Sequence, residues 1–149
     1  MAKEQNIALY NALIGFMTLT KQAMLGFASD QGITPMQGFM LVLIDGDGRP
    51  MNTFSHILGC DASNITGVVD GMERKGLIRR SAHSSDRRIK MVLLQPKGEE
   101  VRDKLYQVLV GDKGSGCVCA SLNQEDVVEL TRILQKITSS CPYVITAKQ

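Results

Sequence analysis

Apolar residues recur at three- and four-residue steps early in the chain, at Ile7, Tyr10, Leu13, Ile14, Met17, Met24, Phe27 and Ala28. That period predicts one long amphipathic helix over roughly residues 3–28, buried along its apolar side. Asp30, Gly32 and Thr34 interrupt it, and Thr34-Pro35-Met36-Gln37 then reads as a helix start. Thr34 can cap, Pro35 suits the first helical position, and Gln37 can return a hydrogen bond to the cap. The second helix runs through Phe39, Met40, Leu43 and Ile44 to a glycine-bearing turn at 45–48. Pro50 can open a short third helix with Phe54, Ile57 and Leu58 on its apolar side, and Gly59-Cys60 breaks it.

Asp61 is suited to cap the next helix, which places Ile65, Val68, Val69 and Met72 in one narrow stripe. Its other face carries Ser63, Thr66, Gly67, Asp70 and Arg74, and Gly76 ends it behind Arg74 and Lys75. Two strand-like runs follow, 77–82 and 88–94. The second alternates Ile89, Met91 and Leu93 against Arg88, Lys90 and Val92. The polar segment 83–87 between them makes a β-hairpin the simplest assembly. Pro96 starts a further helix through Val101, Leu105, Val108 and Leu109. A glycine-rich connection at 111–121 leads to a last helix from Asn123 through Val127, Leu130, Ile133, Leu134 and Ile137. The order is helix, helix, short helix, helix, hairpin, helix, helix. It predicts a mainly α chain with a small β-hairpin, an α+β fold in one domain over residues 1–149.

Composition adds little to this until charge is located. With 44% apolar and 21% charged residues, the chain reads as soluble and globular. The net charge of +2 is small, but 74–90 holds Arg74, Lys75, Arg79, Arg80, Arg87, Arg88 and Lys90 against the single acid Asp86. Such a local excess is an electrostatic footprint for a polyanion. The uncharged run 5–20 contains Gln5, Asn6, Asn11, Thr18 and Thr20 and falls short of the ~20 apolar residues of a membrane span. No membrane association and no secretory leader are expected.

Candidate chemistry is sparse. Cys60, Cys117, Cys119 and Cys141 form no CxxC pair and no zinc spacing with His56 or His83, so free thiols in a reducing cytoplasm are expected, with no metal and no cofactor. Neither histidine has a neighbouring nucleophile in a catalytic arrangement, which argues against an enzyme. The methionines fill a core most simply, and a Met-lined hollow could admit a small apolar effector.

Two short helices joined by a glycine-bearing turn and followed by a basic hairpin form a winged helix-turn-helix over 34–94. A helix fits the major groove of double-stranded DNA, and hairpin arginines reach phosphates or the minor groove. Residues 58–100 resemble the DNA-binding segment of the MarR family of regulators. The pieces that carry the resemblance are Ile65-Thr66, Val69-Asp70, the run from Met72-Glu73-Arg74-Lys75-Gly76 to Leu77-Ile78-Arg79-Arg80, then Asp86-Arg87-Arg88 and Leu94-Gln95-Pro96-Lys97-Gly98. The resemblance implies a homodimer joined through helices in 1–30 and 96–149, with each subunit reading half of a pseudo-palindromic operator. It implies a ligand-responsive repressor, with Arg88 entering the minor groove and Asp86 orienting it. Ser63, Asn64 and Thr66 then take positions that face bases or phosphates.

Arg87, Arg88 and Lys90 are thus candidate DNA contacts, while Arg79 and Arg80 suit either phosphate contact or an internal salt bridge. Three residues depart from the family pattern: Gly67 stands where many relatives carry a long side chain, Gly71 is a second helix-weakening glycine, and Gln95 replaces a capping Thr. Two other readings share the sequence. One is a winged helix that docks an acidic protein through its basic hairpin. The other is a thiol redox sensor using Cys117, Cys119 or Cys141 in or near the glycine-rich connection and after the last helix.

Overall fold

A computed structural model describes residues 2–111 and 119–139. In chain order the elements are α1 (Ala2–Asp30), α2 (Pro35–Leu43), β1 (Arg49–Pro50), α3 (Met51–Leu58), α4 (Ala62–Arg74), β2 (Ile78–Ala82), β3 (Lys90–Leu94), α5 (Pro96–Val110) and α6 (Gln124–Thr138). The start of α2 is a capping box. Thr34 Oγ1 accepts from the Gln37 amide at 3.2 Å, and Gln37 Oε1 accepts from the Thr34 amide at 3.1 Å. Asn123 and Asp126 close a second box at α6. Asp61 occupies the N-cap of α4, but its side chain makes no capping bond. Gln95 likewise leaves the start of α5 uncapped and instead donates its Nε2 to the Ile78 carbonyl at 2.9 Å. At the end of α4, Gly76 takes φ +70° and lets the Leu77 amide return to the Met72 carbonyl at 3.0 Å.

The hairpin is part of a three-stranded antiparallel sheet in the order β1-β3-β2. The third strand is only two residues long: Arg49 faces Val92 and Pro50 faces Met91. Pro50 therefore ends an edge strand before α3, a place where its missing N–H is harmless. Only the structure shows which face of β3 points inward. Val92 is fully buried, together with Ile78, whereas Met91 and Leu93 are half-buried and Ile89 is exposed. The alternation is real, but both of its faces carry apolar residues. Contact with α3 and the pairing of Val92 with Arg80 select the face that points inward.

The core gathers Met24 from α1, Met40 and Leu41 from α2, Phe54 from α3, Ile65, Val69 and Met72 from α4, and Leu105 from α5. Only the end of α1 joins it, through Met24, Phe27 and Ala28. The expected burial of the whole first helix is thus corrected. Within the single chain Ile7, Tyr10, Ile14 and Met17 are exposed. Helix α6 buries no residue at all, and Val127, Leu130, Ile133 and Ile137 all face outward. No described helix is long and apolar enough to cross a membrane.

The first turn of α5 sits on the chain leaving α4. A Cβ on the buried Gly98 would lie 2.0 Å from the Leu77 carbonyl oxygen, a backbone atom that also accepts from the Gln95 amide. Gly98→Ala should therefore destabilise the protein by about 1–3 kcal/mol, despite the ~1 kcal/mol that alanine gains in helix propensity. Urea denaturation measures this, and an unchanged or raised midpoint would contradict the close approach.

Candidate nucleic-acid interface

The stripe of Ile65, Val69 and Met72 anchors α4 to the core and leaves the other side of the helix in solvent. Ser63, Asn64, Thr66 and Gly67 are exposed there. The hydroxyl of Thr66 donates to the Ala62 carbonyl at 2.9 Å, which keeps its lone pairs outward. Gly67 has open space where a Cβ would stand. Gly71 differs: a Cβ there would come within 2.9 Å of Gln37 Nε2, so this glycine makes room for the buried Gln37 side chain. It belongs to the packed border of α4 and not to its bare face.

The hairpin tip is built by local hydrogen bonds. The Ile89 amide donates to the Asp86 carbonyl and the His83 amide to the Ile89 carbonyl, both at 3.0 Å. Asp86 Oδ1 accepts from the Arg88 amide at 2.9 Å. The carboxylate thus sets the backbone from which Arg88 projects and leaves the guanidinium free of it. Ser85 donates its amide to His83 Nδ1 at 3.2 Å and completes the turn. No carboxylate lies within ion-pair range of Arg79, Arg87, Arg88 or Lys90 among the described residues.

Arg88 and Lys90 line one open hollow of about 330 Å³ with Thr66, Ala62 and Ile65 of α4 and Met51, Asn52 and Ser55 of α3. Helix and wing therefore border one open surface, in which Asn52, Ser55, Thr66, Arg88 and Lys90 surround an apolar patch of Met51, Ala62, Ile65 and Ile89. Arg87 stands at the exposed tip beside it, and Ser63 and Asn64 are exposed at the start of α4. Arg79 is exposed on β2, but its neighbour Arg80 turns toward α4, so Arg79 projects from the opposite face of the sheet. Nothing in the spacing singles out Asn52 and Ser55. Their only signal is that they lie off the apolar stripe of α3.

Arg80 takes the internal role. Its Nη1 reaches Glu73 Oε2 at 3.0 Å, its Nη2 bonds Asp70 Oδ1, and its backbone amide donates to Glu73 Oε1 at 3.1 Å. One arginine on β2 thereby bridges two carboxylates on consecutive turns of α4, fixing the strand to the helix.

Comparison with known proteins now places the chain. The sequence model of the MarR family matches residues 33–90, from the turn before α2 to the first residue of β3. The crystal structure of the transcriptional regulator BldR from Sulfolobus solfataricus superposes with a TM-score of 0.72 at 27% identity, covering 93% of this chain and 98% of that one. The chain belongs to the MarR family. The family groups winged-helix transcription regulators and not enzymes. MgrA of Staphylococcus aureus, an HTH-type transcriptional regulator, is 30% identical over 101 residues, 66% of each protein. A Thauera aromatica protein described as regulatory for the hcr operon is 28% identical over 81 residues, 54% of this chain and 49% of that protein. The chain thus matches about half to two-thirds of the length of these curated relatives. A cysteine-to-serine mutant of Escherichia coli MarR, solved with operator DNA, shares the fold with a TM-score of 0.63 at 20% identity, covering 89% of this chain and 95% of that one.

Of the thiols, Cys60 and Cys119 are half-buried, and Cys60 Sγ lies 3.4 Å from the Leu58 carbonyl in the turn between α3 and α4. Cys117 and Cys141 lie outside the described residues.

The Arg80 bridge makes a measurable prediction. Arg80→Met keeps the aliphatic stem and removes the charge, and should cost about 1 kcal/mol, because all three partners are partly open to water. Amide exchange in β2 and β3 should rise more than in α2 and α5. Uniform exchange across all four elements would show that the bridge does not hold the wing.

Proposed function

We propose that this MarR-family chain is a cytoplasmic transcriptional regulator that binds double-stranded DNA as a homodimer. In this reading α4 enters the major groove, with Ser63, Asn64 and Thr66 at base edges or phosphates. Arg87, Arg88 and Lys90 follow the backbone into the adjoining minor groove. The observation that carries it is the shared hollow joining Thr66, Arg88 and Lys90 to Asn52 and Ser55, with no described carboxylate in ion-pair range of the two cations. That the E. coli structural neighbour was solved with operator DNA supports DNA as the partner. Arg79, on the far face of the sheet, contributes only to the surrounding field.

The exposed apolar stripes support the dimer. Ile7, Tyr10, Ile14 and Met17 follow one another at helical spacing on α1, as do Val127, Leu130, Ile133 and Ile137 on α6. Such stripes need a partner, and a second copy supplies a matching pair. A hollow of about 530 Å³ between α1 and the start of α2, lined by Phe16, Met17, Leu25, Pro35 and Phe39, supports an apolar effector that lowers operator affinity, as for a repressor.

Selection of bound fragments from a random DNA pool tests the reading. It should return a pseudo-palindrome with half-sites about one helical turn apart, roughly 10–10.5 base pairs. On that site Arg88→Ala should lose about 1–3 kcal/mol of binding with an unchanged melting temperature, and Lys90→Ala should flatten the salt slope by about one. Absence of any enriched sequence at low salt would instead favour an acidic protein partner for the wing.

A further inference from the structure

A third hollow, of about 320 Å³, lies beside the α4 C-terminus, where the α1–α2 turn, the chain after α4 and the start of α5 meet. Its rim carries Lys75, Lys97 and Lys104 against one carboxylate, Glu100, and its floor is Ile33, Leu77 and Val101. The lysines are held in place but not saturated. Lys75 Nζ donates to the Gly32 carbonyl at 2.7 Å and to Gln37 Oε1 at 3.1 Å, and Lys97 Nζ donates to the Lys75 carbonyl at 3.0 Å. Lys104 Nζ donates to Glu100 Oε1 at 2.7 Å. An ammonium group has three donors, so five of the nine on this rim remain for a ligand. The Glu100 carboxyl is held below its ordinary range first by the hydrogen bond and charge of Lys104 and then by the charge of Lys97. Both cations therefore act on the same small space.

We propose that this hollow binds a small organic dianion, a phosphate monoester or a dicarboxylate, and that its occupancy is transmitted to α4. The charge fits: three ammonium groups and one carboxylate leave two positive charges to be matched. The shape fits as well, since the apolar floor accepts a short hydrocarbon body beneath the charged head, and the volume lies at the lower end of small-molecule sites. This hollow differs from the apolar one beside Met17 in both lining and charge.

Transmission follows from the position of Lys75. It is the C-cap residue of α4, and its side chain ties that helix end to the α1–α2 turn and to the Gln37 that closes the α2 capping box. A dianion competes for the same ammonium and draws it away from the Gly32 carbonyl and Gln37. The C-terminal end of α4 then loses its link to α2, while the Arg80 bridge remains. This step rests on the proposed role of α4 in DNA binding, whereas the anion site itself does not.

Calorimetric titration of the full chain with phenyl phosphate, succinate and inorganic phosphate tests the site directly. Phenyl phosphate and succinate should saturate one site per chain, inorganic phosphate should bind more weakly, and their order decides between the two head groups. Lys97→Ala/Lys104→Ala should weaken binding about tenfold, because two charge-assisted contacts are lost. Lys104→Gln alone, which leaves the Lys97 bond to the Lys75 carbonyl intact, should weaken it about threefold. Unchanged binding in both variants, or no saturable binding by the parent chain, overturns the site. The selected DNA fragment supplies the second readout. The better ligand at saturation should lower DNA affinity several-fold in the parent and not in the double variant. A double variant that loses DNA affinity without any ligand overturns the proposal, making the lysines part of the DNA surface. If the parent chain binds no DNA at all, the proposed function fails while the calorimetric result still decides the anion site.

Discussion

Helix α4 buries one stripe, Ile65, Val69 and Met72, to 1% exposure or less, and every other feature of the interface depends on that constraint. A helix so anchored cannot rotate about its axis without bringing polar residues into the core, so Ser63, Asn64, Thr66 and Gly67 stay in solvent. Each buried side chain contributes roughly 1.5–3 kcal/mol. The Arg80 bridge, partly open to water, contributes about 1 kcal/mol. Core burial therefore sets where α4 lies, and the weaker ion pairs set how the sheet is angled against it. At its far end Lys75 adds a third attachment, to the α1–α2 turn.

Those three attachments explain the uneven character of the surface. The wing offers cations with no described carboxylate in ion-pair range, on a turn whose backbone Asp86 fixes. The exposed face of α4 offers short side chains and, at Gly67, none. On the proposed function, phosphate contacts and DNA shape carry more of the recognition than long side chains reaching for base edges. Gly71 adds nothing to that surface. It accommodates Gln37, which serves the α2 capping box and the Lys75 link at once.

Away from the wing, the single chain leaves much of its apolar surface in solvent. The exposed stripes of α1 and α6 lie outside the one core, which is complete without them. Their periodicity is as regular as that of α4, yet they stay exposed among the described residues. On the proposed function a second copy covers both stripes, and each copy would then hold one α4 and one wing.

Helix number and order, the capping box at Thr34, the glycine stop at Gly76 and the basic hairpin were all legible in the sequence. Each rests on neighbours within a few residues, where propensity and hydrogen-bond geometry are local. The family was legible for the same reason, through short runs at fixed spacing. Tertiary contacts decided the rest. Val92, and not Met91 or Leu93, faces inward because the sheet meets the helices on that side. The strand at Arg49 and Pro50 exists only because β3 lies beside it. Arg79 and Arg80 are chemically alike in the sequence, and only strand alternation beside Asp70 and Glu73 separates a structural bridge from a solvent-facing charge. Periodicity showed that α1 and α6 have an apolar side. What that side meets depends on distances between residues far apart in the chain, which no local pattern encodes.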